Sequence, residues 1–246
     1  MSGSAARVHE VRRVEAEERM PVPAGPENLR RLYATRFAET ETSPRNATWR
    51  VLCEDFFQKW INPGATVLEV AAGYCEFINN IKAGKKIAVD LNPEVKRRAD
   101  SDVRAVVASA TSFPEVPGDS IDVVFISNFF EHISKDDILE TLHEVHRVLR
   151  PTGKILVLQP NIRFCRTDYW MFFDHITPLD DRSLNEALAM TDFGTEKTIV
   201  RFLPYTTKSY LPKAAFLVRA YLKVPLLWRI FGQQTFVIAR PRHSVL

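Results

Sequence analysis

Residues 66–92 read TVLEVAAGYCEFINNIKAGKKIAVDLN. Two β-branched runs, over 66–73 and 86–92, read as strands, and the segment between them breaks at Gly73 and then leads into a helix. Glu69 stands near the end of the first run and Asp90 near the end of the second, about 20 residues on. A glycine at the carboxyl end of a central parallel strand lets the backbone approach a ligand. An acid at that later position can accept both hydroxyls of a ribose. The pair therefore points to a nucleoside-containing ligand.

Outward from this unit the rhythm continues. RAVVASA (104–110), SIDVVFISN (120–128) and KILVLQPN (154–161) are further turn-bounded strands. Strands spaced by single helices imply right-handed βαβ crossovers and a parallel sheet. The best-defined helix spans 135–149: Ile138, Leu139, Leu142, Val145, Val148 and Leu149 make one stripe, and Pro151 with Gly153 ends it. Beyond Asn161 come an aromatic-rich loop, a helix near 181–192, and strands near 197–204 and 233–240 expected to pair as an antiparallel hairpin. From Glu27 to Trp60, apolar residues at intervals of three and four predict two amphipathic helices interrupted near Ser43 and Pro44. The expected organisation is a flexible tail over 1–26 and one α/β domain over 27–246. Within that domain lie a helical cap over 27–62 and insertions over 162–180 and 206–231.

The 246 residues carry 33 Lys and Arg against 30 Asp and Glu, a net +3 too small to mark a nucleic-acid-binding surface. Cys53, Cys75 and Cys165 are far apart and show no CxxC spacing, so neither a disulfide framework nor a zinc site is expected. Residues 1–27 mix both charges and lack an apolar signal core, and no window is long and apolar enough to span a membrane. A cytoplasmic location is expected.

Two kinds of enzyme use a strand-end glycine and acid in this way: dinucleotide oxidoreductases and methyltransferases that use S-adenosylmethionine. A dinucleotide site wants GxGxxG facing a pyrophosphate, whereas only Gly73 stands at those positions and Glu69 would repel that group. Glu69 suits the ammonium of a methionine moiety instead. In order along the chain, VLEVAAGYCEF, VDLNP, VVASATSFPEVPGDSIDVVFISNFFEHI and LHEVHRVLRPTGKILVLQPN resemble the class I S-adenosylmethionine-dependent methyltransferases over about 66–161. The likeness is nearest to the small-molecule branch that includes the ubiquinone and menaquinone methyltransferases. It implies a three-layer Rossmann-like fold, with a mostly parallel seven-stranded sheet that ends in an antiparallel hairpin and carries the N-terminal cap.

Carried over residue by residue, the resemblance implies that Glu69 and the turn Ala71–Gly73 hold the methionine end and that Asp90 binds the ribose diol. Leu91 would pack on the adenine, Ser109, Ala110 and Thr111 would line it, and Ser127 or Asn128 would face the cofactor. Tyr33 or Arg45 would reach the cofactor carboxylate. The family's usual GxGxG reads Ala71, Gly73 and Cys75 here, so a methyl and a thiol are expected to crowd the ligand. Ser109 replaces a common Asp, at a cost of about 0.5–1.5 kcal/mol for one hydrogen bond.

If the acceptor is a hydroxyl, a base must take its proton. His175, with Asp174 beside it in the aromatic loop, and His132, in the Glu-His pair after the fourth strand, are the candidates. His175 has two bland alternatives, capping the helix near Asp181 or bonding a loop carbonyl. Phe129, Phe130 and the aromatics of 164–173 form either a wall around the methyl group or plain core. The reading is methyl transfer from S-adenosylmethionine to a small-molecule, sugar or lipid-linked acceptor, most plausibly at oxygen. Alternatives are carbon methylation of a lipidic quinone-type precursor, a non-catalytic cofactor-binding partner subunit, and hydride transfer with a nicotinamide cofactor. The stretch 211–231 carries Lys213, Arg219, Lys223 and Arg229 and no acid, so it is a candidate for peripheral membrane contact, a pocket cap or a homodimer surface.

Overall fold

The computed structural model describes residues 42–205 and 215–242. Helix α1 (Thr42–Asp55) and a 3-10 turn (Phe57–Trp60) precede β1 (Thr66–Val70), α2 (Glu76–Asn80), β2 (Lys85–Asp90), α3 (Val95–Arg98) and β3 (Val103–Val107). Then follow β4 (Ile121–Ser127), α4 (Lys135–Val148), β5 (Leu149–Pro160), α5 (Ile162–Cys165), α6 (Asp181–Met190) and β6 (Phe193–Ile199). Helices α7 (Ala215–Lys223) and α8 (Pro225–Phe231) lead into β7 (Gln234–Pro241).

Seven strands form one sheet in the order β3-β2-β1-β4-β5-β7-β6. Strands β1 to β5 pair in parallel, and β7 runs antiparallel to both β5 and β6. The expected parallel sheet with a terminal antiparallel hairpin is borne out. The chain first winds outward from β1 to β3, then restarts at β4 and winds the other way. Between β1 and β4 the strand order therefore reverses, and the carboxyl ends of the strands there are where open α/β sheets leave a crevice for ligands.

Burial on both faces explains the near-continuous apolar strands. Val67, Val123, Phe125, Leu156 and Leu158 enter a core closed by α1, α2 and α7. Their neighbours Leu68, Val70, Val124, Ile126, Ile155 and Val157 enter a second core under α4 and α6. The alternation along each strand is the period of two that a pleated strand dictates, and it makes the three layers. The stripe on α4 behaves as its spacing predicts, with Ile138, Leu142, Val145 and Val148 buried. Ser134 and Asp137 close its N-terminus as a reciprocal capping box.

Some boundaries move. Strand β5 starts at Leu149, directly from the helix, because Leu149 already has extended backbone and pairs with Ile121 ahead of an irregularity in the register. Strand β6 starts at Phe193, four residues before the expected start of 197, since Phe193 and Gly194 already pair with Pro241 and Arg240. The loop over 162–180 is partly helical, through α5 and a 3-10 turn over Arg166–Met171. In the cap, the boundary near Ser43 and Pro44 is the start of α1, while the first expected helix and Tyr33 lie outside the described residues. No helix among the described residues is long and apolar enough to cross a membrane.

Candidate functional site

The turn after β1 is built from alternating left-handed residues: φ is 54° at Ala71, 53° at Gly73 and 59° at Cys75. Only glycine adopts this region without strain, and each other residue costs about 1–3 kcal/mol. Ala71 and Cys75 thus keep the backbone that glycines would give. Cys75 itself is fully buried in the core with Phe77 and Ile78.

Asp90 ties this turn to β2. Its Oδ2 accepts the Gly73 N–H at 2.7 Å and its Oδ1 accepts the Asn92 N–H at 2.7 Å. Each carboxylate oxygen has more than one lone pair, so both can still accept from a diol. Burial pushes the Asp90 pKa up, against the pull of those two N–H donors. The Ala108 N–H donates to the Asp90 carbonyl, which sets the turn of Ser109, Ala110 and Thr111 beside it, closed by a 2.9 Å hydroxyl pair between Ser109 and Thr111. Leu91, next to Asp90, is exposed and offers an apolar surface at the same edge.

Glu69 is 4% exposed, and its Oε2 accepts the Ile78 N–H in the first turn of α2 at 3.0 Å. Burial raises its pKa well above the usual carboxylate range, opposed by that N–H and reinforced by Glu76 and Asp90. Among the described residues it forms no ion pair. A buried carboxylate without a cation is expensive, and an α-ammonium group would supply the missing charge. The buried Asn128 Oδ1, past the end of β4 where φ is 46°, also has no hydrogen-bond donor. Together with the free lone pairs on Asp90, this donor-seeking set fits the ammonium and ribose hydroxyls of S-adenosylmethionine. Ser127 closes β4 beside Asn128, in register with Leu158. Arg45 reaches the same turn from α1, paired with Glu76 and lying over the Tyr74 ring at 4.1 Å, while Arg98 covers that ring at 3.8 Å.

Past β4 a second cluster forms. The Ile176 and Thr177 N–H groups donate to the Glu131 carbonyl, so the loop after α5 folds back over the end of β4. This brings His132, Asp174 and His175 together. His132 Nδ1 lies 3.0 Å from Asp174 Oδ2, and the two imidazole rings meet edge to face at 4.8 Å. Asp174 therefore holds His132, and no pair with its sequence neighbour His175 is formed. His175 is buried, stacked on Phe172, with Nε2 3.1 Å from the Tyr205 hydroxyl. It does not cap the following helix, since Asp180 does so through the N–H groups of Arg182 and Ser183.

Glu131 lies buried on the other side of His132, Oε1 being 3.7 Å from Nε2, and Oε2 accepts from Gln159 at 2.8 Å. Burial alone would depress the His132 pKa, but Glu131 and Asp174 outweigh it and the value is raised. Burial raises Glu131 as well, opposed by His132. Glu131, His132 and His175 each bring one ligand-capable atom within 4.8 Å of the others, a two-His, one-carboxylate set that could hold a metal ion. With two carboxylates beside it, His132 favours a proton, which competes with a metal for the same nitrogen. Of the aromatic loop, Tyr169 is fully buried whereas Phe173 is 99% exposed, and Phe130, after β4, is core.

Glu131, Gln159 and Tyr205 escaped the sequence reading as separate contributors. Only the Glu-His adjacency hinted at the first, and nothing local marks the other two.

Residues 68–157 match the family model described as a methyltransferase domain. A chain of the complex between the Haloferax volcanii Trm112 methyltransferase activator and a methyltransferase superposes with a TM-score of 0.61 at 16% identity, covering 86% of this chain and 96% of that one. A SAM-dependent methyltransferase from Archaeoglobus fulgidus gives 0.57 at 16% identity, covering 86% and 99%. Geranyl diphosphate C-methyltransferase from Streptomyces coelicolor A3(2) gives 0.54 at 15% identity, covering 85% and 86%. At such identities the superpositions speak for the fold. No curated protein matches the chain. The matched stretch runs from β1 into β5, and over it this chain is similar to a methyltransferase domain.

Proposed function

We propose that this chain is a class I methyltransferase that takes its methyl group from S-adenosylmethionine, that it acts on an oxygen of a small-molecule or glycan-like acceptor, and that His132 takes the hydroxyl proton. The observation that carries the reading is the cluster after β4: His132 is partly open, with 23% of its side chain exposed, and Asp174 sits 3.0 Å behind its Nδ1. The donor supplies an electrophilic methyl group on a sulfonium. The acceptor oxygen forms the new C–O bond, the C–S pair returns to sulfur, and the released proton goes to His132 Nε2. Asp174 fixes the tautomer and stabilises the imidazolium, and Glu131 adds a second negative neighbour. His175, buried and bonded to Tyr205, acts as a positioning residue that fixes the loop carrying Asp174.

Glu69, the Ala71–Gly73 turn, Asp90, Leu91 and the Ser109–Thr111 turn would hold the donor, with Asn128 facing it. Arg45 would contribute from the cap side. A carbon acceptor of quinone-precursor type is the second reading. The aromatic neighbours of His175 suit a flat apolar acceptor, and one structural neighbour is a C-methyltransferase.

The test is labelled methyl transfer into sugar and lipid extracts, followed by hydriodic acid treatment of the product. Ether methyls are released and carbon methyls are retained. Release of the label, with turnover cut about 100-fold or more by His132→Asn at near-normal donor binding, is the expected result. Retained label selects the carbon reading. Full turnover in the variant removes His132 from the chemistry.

A further inference from the structure

We infer that the outer face of α7 and α8 is a docking surface for an anionic lipid membrane. Both helices have two faces. Inward, Tyr221 and Leu222 are buried, and Val218, Leu227 and Trp228 pack against the core beside α1. The helices are also fastened: Arg219 pairs with Glu54 and Asp55 on α1, the Tyr221 hydroxyl donates to the Phe202 carbonyl, and Trp228 Nε1 donates to the Tyr221 carbonyl. Their position is therefore fixed without using the outer face.

On an ordinary surface helix that outer face is polar. Here it presents Phe216 at 69% exposure and Leu226 at 63%, followed one helical turn later by Ile230 and Phe231. Lys223 and Arg229 stand among them, exposed and without an ion pair among the described residues. No acid occurs from 215 to 231. Apolar side chains interleaved with basic ones suit the boundary between acyl chains and headgroups: the apolar groups enter it, and the long basic chains extend to phosphate. Neither helix could cross the bilayer, so the contact would be peripheral.

Charge selects this occupant over a second copy of the chain. A two-fold contact sets the same patch against itself, bringing Lys223 and Arg229 towards their own counterparts, and 215–231 holds no acid on either copy to receive them. Phosphatidylglycerol or another anionic lipid supplies that negative charge. The surface is independent of the chemistry proposed for the acceptor, and its test does not use turnover.

The full-length protein is sedimented with phosphatidylcholine vesicles, with and without phosphatidylglycerol. It should bind the anionic vesicles preferentially and release with added salt. Exchanging both bases (Lys223→Gln, Arg229→Gln) should weaken binding about 25-fold, at roughly fivefold per charge. Leu226→Ser with Ile230→Ser should weaken it about tenfold or more. All four positions are exposed, so S-adenosylhomocysteine binding should be unchanged, showing that the variants are folded. Absence of vesicle binding, or equal binding by wild type and variants, overturns the inference. So does a dimer in solution that Leu226→Ser with Ile230→Ser dissociates, which would assign the patch to a second copy.

Discussion

Replacing Glu69 by Gln should act in opposite directions on the empty and the liganded protein. In the empty protein the carboxylate is buried, has no cation among the described residues, and is raised well above its ordinary range by that burial. A carboxylate with a raised folded-state pKa binds more protons folded than unfolded, so stability is highest below the unfolded value and falls as pH rises through the folded one. Each unit of the shift costs about 1.4 kcal/mol at neutral pH. Glutamine removes that cost and still offers an oxygen to the Ile78 N–H, forfeiting about 1 kcal/mol of charge assistance. The empty variant should therefore melt higher, each 1 kcal/mol of net gain being worth about 2–4 °C for a chain of this size.

Ligand binding should respond the other way. A charge-assisted hydrogen bond to an ammonium is worth about 1.5–3 kcal/mol, so Glu69→Gln should weaken S-adenosylhomocysteine about 10–150-fold. Thermal melts with and without ligand, plus calorimetric titration, read both effects on one sample. A variant that melts lower when empty shows that Glu69 supports the fold through contacts other than the one to Ile78. A variant that binds as tightly as wild type refutes the ammonium assignment outright.

Further outcomes follow from neighbouring residues. Asp90→Ala removes the acceptor of the Gly73 and Asn92 N–H groups as well as the ribose contact, so it should weaken S-adenosylhomocysteine by tenfold or more in calorimetry and lower the Tm. Ala71→Gly, at φ 54°, relieves about 1–2 kcal/mol of left-handed strain and returns about 0.4–1 kcal/mol to the unfolded chain, so it should raise the Tm, by up to about 6 °C. Because His132 is raised above its ordinary range by Glu131 and Asp174, turnover should climb with pH through an apparent pKa above about 6.5, while the stability it contributes is lost over that interval. Asp174→Asn should move the turnover midpoint towards lower pH, and an unmoved midpoint would remove Asp174 from the pair.

What the sequence disclosed and what it withheld differ for a physical reason. The donor edge is local. Glu69, Ala71, Gly73 and Asp90 sit at strand ends only a helix apart, and strand periodicity alone places their carboxyl ends together once the crossovers are right-handed. Even the substitutions at 71 and 75 could be read for identity, though not for direction. That Cys75 is fully buried depends on the left-handed turn at φ 59°, which spacing does not encode.

The cluster after β4 is non-local. His132 meets Asp174 across 42 residues and His175 meets Tyr205 across 30, through a loop held mainly by backbone donors to the Glu131 carbonyl. Adjacency in the chain pointed to Asp174 and His175 as partners, but neighbours in an irregular loop diverge, and the structure divides them between different rings. The pairing could be found only after the loop was seen folded over the sheet.

This division bears on how the enzyme would change its acceptor. The donor groups are held by strand ends and the first turn of α2, so substitutions there disturb the sheet itself. His132 is fixed to the sheet through Glu131 and Gln159, but Asp174, His175 and Tyr205 come from connecting segments outside the strand ladder. Loops accept substitution and insertion at lower cost than strands. The stretch after β5 can therefore vary to select an acceptor while the proton-holding histidine and the donor edge stay in place. Acceptor specificity should follow residues 162–180 and Tyr205 when these are exchanged between enzymes of the same fold.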